Sequence, residues 1–353
     1  MNVLLQRTLA EIRPVNETAR RVATDRQAVL TKPPGSLGRL EEIAVDAAGI
    51  MSSPEPSPEP GALVLAAADH GVSKEGVSAY PREVTAQMVH NFLAEGAAIN
   101  AIAGSVGAKI FLVDAGIDAE MPVHAGLYQR KASRGTANFA EGPAMSKGQA
   151  AAIVESGIEF VHGLCERGYK AVAVGDMGIG NTTSAAVVTA MITGASAASV
   201  TGRGTMVRDD QYQRKIEVVR RALCVHRVDP GDGLAVLAAV GGYETGFLTG
   251  CLVGAASRRV PVLLDGFPTT AAALIAARLQ VDIPRYCFAG HLSQEPGHRI
   301  ALDFLGLRPL LNLDMRLGEG TGAVLGMSIV QAACRCLNEM ATFSEAAVRD
   351  RIA

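Results

Sequence analysis

The chain has 353 residues, of which 48 % are hydrophobic and 19 % charged, and its formal net charge is −2. A chain this apolar buries a large core, which excludes intrinsic disorder. With 4 % aromatic residues and no basic excess, it lacks the cations and rings that nucleic acid requires, so no nucleic acid partner is expected. Neither a membrane-length apolar run nor a signal peptide is visible, and there is no CxxC pair. We therefore expect a reduced, cytoplasmic protein that does not bind membranes.

The first 50 residues predict helices, because apolar side chains recur there at a spacing near 3.6 residues. The segment 32–38 interrupts this pattern, which resumes over 39–51. Alternate prolines over 53–60 remove backbone donors and force extended geometry, so this segment predicts a linker or surface loop.

Short apolar runs then alternate with helical stretches over the middle of the chain. The runs cover 62–66, 110–113, 171–174, 260–264 and 286–288. Unbroken runs of this length suit strands buried on both faces, and intervening helices suit right-handed crossovers. The predicted fold is α/β in three layers, with a mostly parallel sheet and helices on both faces.

The two ends of the chain predict a smaller helical unit, because the C-terminal stretch from Gly322 onward is also helical in pattern. We therefore predict an N-terminal helical segment over 1–60, a nucleotide-binding catalytic domain over 61–322, and C-terminal helices over 323–353 that join the N-terminal segment.

Acidic and glycine-rich turns follow four of the five predicted strands. Ligands of an open parallel sheet bind beyond the carboxyl ends of its strands, so these turns are candidate site positions. They contain Asp69-His70, Asp114, the loop 175–183 and Asp265.

The loop 175–183 predicts an anion site, because its glycines let backbone N–H groups converge at the start of a helix. The alternative is a tight turn with a threonine cap. The loop has neither the dinucleotide-binding glycine spacing nor a P-loop lysine. The candidate ligand-binding residues in it are Asp176, Gly178, Gly180, Asn181 and Thr182.

A second glycine-rich turn over 201–205 contains Gly204 and leads into a helix over 209–221. Lys215 lies on the apolar stripe of this helix, where it could reach a phosphate. From spacing alone, a lysine extending to solvent fits equally well.

Glu319 lies between Gly318 and Gly320, immediately before an apolar helix. A carboxylate in such a loop is a candidate general base, and a surface or capping acid is the alternative. His291 and His298 lie seven residues apart, but no compact set of metal ligands is visible, so no metal is expected.

Five segments in chain order resemble the motifs of one family, the nicotinate-nucleotide:dimethylbenzimidazole phosphoribosyltransferases. They are Lys32–Glu41, Ala68–Val72, Gly175–Thr183, Leu263–Phe267 and Met315–Ala323. The resemblance implies a homodimeric enzyme of cobalamin biosynthesis that needs no cofactor. It implies transfer of the 5-phosphoribosyl group from nicotinate mononucleotide to 5,6-dimethylbenzimidazole, giving α-ribazole 5′-phosphate and nicotinate.

The resemblance also assigns roles to individual residues. It implies that Glu319 is the base and that Lys215 and Asp265 bind substrate. Asp176 stands where the family commonly has Glu, and Tyr80 stands where some members have Ser, which leaves the ribose contact and the accepted base open.

Three further side chains, Met88, Met177 and Leu317, are candidates to sandwich a flat base or are simply core. Two other functions stay open from the sequence, a non-catalytic nucleotide sensor and an NAD-dependent oxidoreductase.

Overall fold

The structure is a computed structural model that describes residues 3–204 and 207–349. The predicted turn 201–205 and the predicted segment 323–353 each end outside these residues. Among the described residues, no helix is long and apolar enough to cross a membrane.

One parallel sheet forms the centre of the molecule. Within the described residues it has six strands in the order β3-β2-β1-β4-β5-β6, each parallel to its neighbours. The strands are β1 (Gly61–Ala68), β2 (Lys109–Gly116), β3 (Leu127–Gln129), β4 (Ala171–Met177), β5 (Val262–Leu264) and β6 (Cys287–Ala289). The order reverses between β1 and β4, and ligand crevices form at such a reversal.

Helices cover both faces of this sheet. They are α1 (Val3–Glu11), α2 (Glu17–Val29), α3 (Arg39–Met51), α4 (Val84–Leu93), α5 (Ala98–Val106), α6 (Lys147–Glu166), α7 (Asn181–Thr193), α8 (Ala197–Val200), α9 (Asp209–Val225), α10 (Gly233–Val240), α11 (Tyr243–Ser257), α12 (Phe267–Leu279), α13 (Pro296–Leu305) and α14 (Thr321–Glu339). α11 packs with α6 and α12, whereas α14 packs with α3 and α5, and both groups contact β4. The predicted three-layer α/β fold is confirmed.

Each of the five predicted strands forms, with small shifts at its ends. All eight residues of β1 are buried, as its unbroken apolar run predicts. β5 begins at Val262 because Pro261, which has no N–H, contributes only its carbonyl, which accepts from the Val172 N–H at 3.1 Å. β3 was not predicted, because it is a three-residue edge strand with one buried side chain and has no apolar run.

The two ends of the chain contact each other. The Arg26 guanidinium donates to the carbonyl of Leu337 at 2.7 Å, and the Thr31 N–H donates to the carbonyl of Ala341 at 3.0 Å. α14 also packs on β4 and β5, so it belongs to the covering of the sheet as well. The division into 1–60, 61–322 and 323–353 stays a prediction.

The contact between α6 and α11 depends on the absence of two side chains. A Cβ at Gly157 would lie 2.0 Å from the carbonyl oxygen of Phe247, and one at Gly250 would lie 2.0 Å from that of Val154. Both obstacles are backbone atoms, which cannot rotate away. The two helix backbones therefore touch directly.

We expect Gly157→Ala to lower the free energy of unfolding by roughly 1–3 kcal/mol, because the added methyl group forces the two helices apart. Gly163→Ala is the matched control, since it lies on the same helix with nothing within 4 Å of its Cβ. Better helix propensity should stabilise that variant by about 0.5–1 kcal/mol. Urea unfolding measures both changes, and equal effects of the two substitutions would contradict the close packing.

Candidate active site

A cavity of about 590 Å³ opens at the carboxyl ends of β4, β5 and β6. Eleven of the residues predicted for the site line it: Tyr80, Met88, Asp176, Met177, Gly178, Asn181, Thr182, Gly204, Leu317, Gly318 and Glu319. The predicted residues Gly180, Lys215, Asp265 and Gly320 lie behind this lining. The structure therefore brings the separate motifs of the sequence to one place.

One end of the cavity is formed by the two glycine-rich turns. Gly180 precedes α7 with a φ of 100°, a conformation that favours glycine, and so begins the helix at the cavity wall, which Asn181 and Thr182 line. The Asn181 amide donates to Asp176 at 2.5 Å. Gly204, on the second turn, lies beside the start of α7, since a Cβ there would be 3.0 Å from the Thr182 hydroxyl and 3.0 Å from the Lys215 ammonium.

Lys215 reaches this end from α9. Its ammonium donates to the Thr182 hydroxyl at 2.8 Å, and the residue is 1 % exposed. Burial lowers the pKa of Lys215. The lysine therefore points inward and does not extend to solvent, which decides between the two interpretations that the helical spacing left open. Together these donors suit a phosphate.

Glu319 occupies the other end of the cavity. It has a φ of 64° between two glycines, is 6 % exposed, and its Oε2 has no hydrogen-bond partner among the described residues. Burial, with the charge of Asp265 as the second cause, raises its pKa to about 7. A carboxyl group that titrates near neutrality can take up a proton under ordinary conditions.

Asp265 lies beneath Glu319 and holds its loop. One carboxylate oxygen accepts from the Gly322 N–H at 2.7 Å, and the other accepts from the Gly320 N–H at 3.1 Å. Asp265 therefore caps the first turn of α14, and burial raises the pKa of this capping carboxyl. Its predicted contact with substrate stays a prediction.

Asp176 is the third carboxyl group near the cavity. Its burial, followed by the charges of Glu244 and Asp265, raises its pKa to about 8. One of its oxygens has no partner among the described residues. In the protonated form, which this pKa favours at neutral pH, it can donate a hydrogen bond to a ligand.

A wall of the cavity that was not predicted as ligand-binding follows β6. It contains His291, Ser293 and Glu295. The other turns are candidates because each is a polar segment directly after a buried strand. This segment has the same position, after β6. In the sequence, His291 is a candidate only as a metal ligand together with His298. Ser293 and Glu295 carry no signal there, because Ser and Glu in a loop are common surface residues.

Both ring nitrogens of His298 have partners within the protein. Its Nδ1 accepts from the Ser293 N–H at 2.9 Å, and its Nε2 lies 3.0 Å from the Thr270 hydroxyl. Burial lowers its pKa to about 3. Among residues 3–204 and 207–349, no group of three or more His, Cys, Asp or Glu side chains could hold a metal ion.

The other predicted histidine, His70, is buried under the first glycine loop. Its Nε2 lies 2.8 Å from a carboxylate oxygen of Glu244. A Cβ at Gly178 would lie 3.3 Å from the His70 ring and 2.4 Å from the Ala68 carbonyl oxygen. His70 therefore supports the loop from below, and glycine is required where the loop passes over β1.

The parallel α/β fold and a cavity that combines hydrogen-bond donors with buried carboxyl groups, Glu319 among them, are those of an enzyme of the phosphoribosyltransferase class. A family model described as "Phosphoribosyltransferase" matches residues 12–348. A relative from Roseiflexus sp. (strain RS-1), named nicotinate-nucleotide–dimethylbenzimidazole phosphoribosyltransferase, is 53 % identical over 349 residues and 99 % of each chain. A relative from Chloroflexus aggregans with the same name is 52 % identical over 348 residues and 99 % of each chain.

A solved structure agrees with these relatives. The enzyme of the same name from Thermus thermophilus superimposes with a TM-score of 0.90 at 46 % identity, covering 95 % of this chain and 100 % of that one. The chain belongs to the nicotinate-nucleotide–dimethylbenzimidazole phosphoribosyltransferase family. The resemblance found in the sequence is confirmed, and the comparisons support neither an oxidoreductase nor a nucleotide sensor.

We expect Glu319→Gln to stabilise the fold in a pH-dependent way. The pKa of Glu319 is about 7 in the folded protein against 4.5 for a model carboxyl, so keeping it ionised and buried costs stability above pH 7. Near pH 8 the free energy of unfolding of the variant should exceed that of the parent by up to about 3 kcal/mol, because each unit of pKa shift corresponds to roughly 1.4 kcal/mol. The difference should vanish below about pH 4, where the carboxyl is protonated in both the folded and the unfolded chain.

Urea unfolding of both proteins across this range measures the effect. Glu166→Gln, an exposed position at the end of α6, is the control and should show no such trend. A stability difference that stays constant with pH would contradict the raised pKa of Glu319.

Proposed function

We propose that the protein transfers the 5-phosphoribosyl group of nicotinate mononucleotide to 5,6-dimethylbenzimidazole and releases nicotinate. The observation that carries this proposal is that one cavity is lined both by the buried Glu319 and by Thr182, to whose hydroxyl the Lys215 ammonium donates from behind the lining. A phosphate at one end and a proton acceptor at the other match the two parts of this reaction that need the protein. Relatives that share about half of their residues with this chain carry the corresponding name.

The chemistry needs one carboxylate. Nicotinate leaves the anomeric carbon as a neutral pyridine ring from a cationic pyridinium, so its departure requires no acid. The incoming benzimidazole attacks through its lone-pair nitrogen and acquires positive charge, and its other N–H must then lose a proton. Glu319, buried and with one oxygen unpartnered among the described residues, takes that proton. Displacement from the opposite face converts the β-nucleotide to the α-ribotide.

The other proposed contacts follow from the cavity wall. Lys215, the Gly204 turn and the start of α7 hold the 5′-phosphate, and Asp176 faces the ribose. The flat base lies between Met88, Met177 and Leu317, with Tyr80 at the entrance. Methionine suits such a contact because its side chain is flexible and polarisable.

We also propose that the protein is a cytoplasmic homodimer. Tyr80 and Leu317 at the cavity entrance are 55 % and 56 % exposed, and Leu313 nearby in sequence is 55 % exposed. Exposed apolar side chains grouped in this way are typical of interfaces. Sedimentation equilibrium measures the oligomeric state.

Glu319→Gln should reduce turnover at least about a hundredfold, because a positioned general base contributes roughly 10²–10⁴-fold. Binding of nicotinate mononucleotide should stay nearly unchanged, since its phosphate lies at the other end. The parent's rate should fall below about pH 7 as Glu319 becomes protonated, and the variant should lack this decrease. Nicotinate release across pH measures both effects. A folded variant with more than a tenth of the parent's turnover would exclude Glu319 as the base.

Lys215→Ala should raise the KM for nicotinate mononucleotide roughly tenfold or more, because a charge-assisted hydrogen bond to the phosphate contributes about 1.5–3 kcal/mol. Turnover should be largely spared if the contact is equal in the ground and transition states. Lys170→Ala, an exposed lysine at the opposite end of β4, is the control. Equal KM values in the two variants would remove Lys215 from the phosphate site.

A further inference from the structure

A carboxylate already occupies one of the hydrogen-bond donors at the phosphate end of the cavity. One oxygen of Glu295 accepts from the Gly204 N–H at 2.8 Å. Glu295 is 7 % exposed and lines the cavity, directly before α13. An anionic side chain therefore lies where the proposed substrate brings its own anion.

The second oxygen of Glu295 is buried without a hydrogen-bond partner among the described residues. The turn passes close to this oxygen, since a Cβ at Gly202 would lie 2.2 Å from it. An ionised carboxylate in a protein interior usually accepts several hydrogen bonds or pairs with a cation. With one of its two oxygens unpartnered, Glu295 is incompletely attached to the turn.

Lys215 is the nearby cation, and it also lacks a direct partner of opposite charge. Among the described residues no carboxylate forms an ion pair with Lys215, whose ammonium donates to the Thr182 hydroxyl. Burial lowers the pKa of Lys215, and the charge of Glu295 acts in the opposite direction. Glu295 is therefore the acid that balances Lys215 across the turn.

We propose that Glu295 is a surrogate anion, which accepts from the Gly204 N–H beside Lys215 in the free protein and yields this donor to the 5′-phosphate of the substrate. This inference rests on the proposed function for the identity of the phosphate. Two anions that share one donor repel each other strongly where both are largely buried, and Glu295 is 7 % exposed. Glu295 therefore weakens phosphate binding, and by the same repulsion it favours release of the phosphorylated product.

Glu295→Gln tests this directly, because glutamine keeps an acceptor for the Gly204 N–H and removes the charge. Isothermal titration with inorganic phosphate, and separately with nicotinate mononucleotide, gives the dissociation constants. We expect both to fall about fivefold or more in the variant. Nicotinate riboside, which lacks the phosphate, should bind equally to both proteins. Glu166→Gln removes one exposed charge at the end of α6 and is the control.

Unchanged or weaker phosphate binding in folded Glu295→Gln would overturn the proposal, because a residue that only holds the turn would give that result. Glu295→Ala also removes the charge and must shift phosphate affinity in the same direction, which keeps the test open if one variant does not fold. Nicotinate release by the unaltered protein tests the proposed function separately. The titration with inorganic phosphate does not depend on its outcome.

Discussion

The cap that Asp265 places on α14 is the interaction on which the site depends. Asp265 directly follows β5, and its two oxygens accept from the N–H groups of Gly320 and Gly322. The sheet thereby fixes the loop that carries Glu319. Burial is the main cause of the raised pKa of Glu319, and the negative charge of Asp265 raises it further. The same residue thus fixes where the proposed base lies and adds to the shift of its pKa.

The cavity concentrates acidic groups that would be more stable elsewhere. Asp176, Asp265 and Glu319 are each buried, and burial is the leading cause of the raised pKa of each. A fold selected for stability alone would place apolar side chains here. The surrounding sheet is tightly buried, since every residue of β1 and all but the last residue of β4 are buried.

The sequence predicted those parts of the structure that depend on local pattern. Unbroken apolar runs marked five strands, and glycine between polar residues marked the loops of Asp176 and Glu319. What it could not predict depends on contacts distant in the chain. The direction of Lys215 is set by Thr182, 33 residues away, and the role of Glu295 by Gly204, 91 residues away. β3 was missed because an edge strand of three residues carries no hydrophobic period.

The bonds from Arg26 to the end of α14 give the N-terminal segment a mechanical connection to the proposed base. α14 has 19 residues and spans roughly 28 Å, at about 1.5 Å per residue. Its first turn, capped by Asp265, follows the loop of Glu319, and its last turn accepts a hydrogen bond from Arg26. Between these ends the helix packs against α3, α5 and the sheet. The N-terminal helices therefore help to fix the position of the helix whose first turn holds the loop of the proposed base.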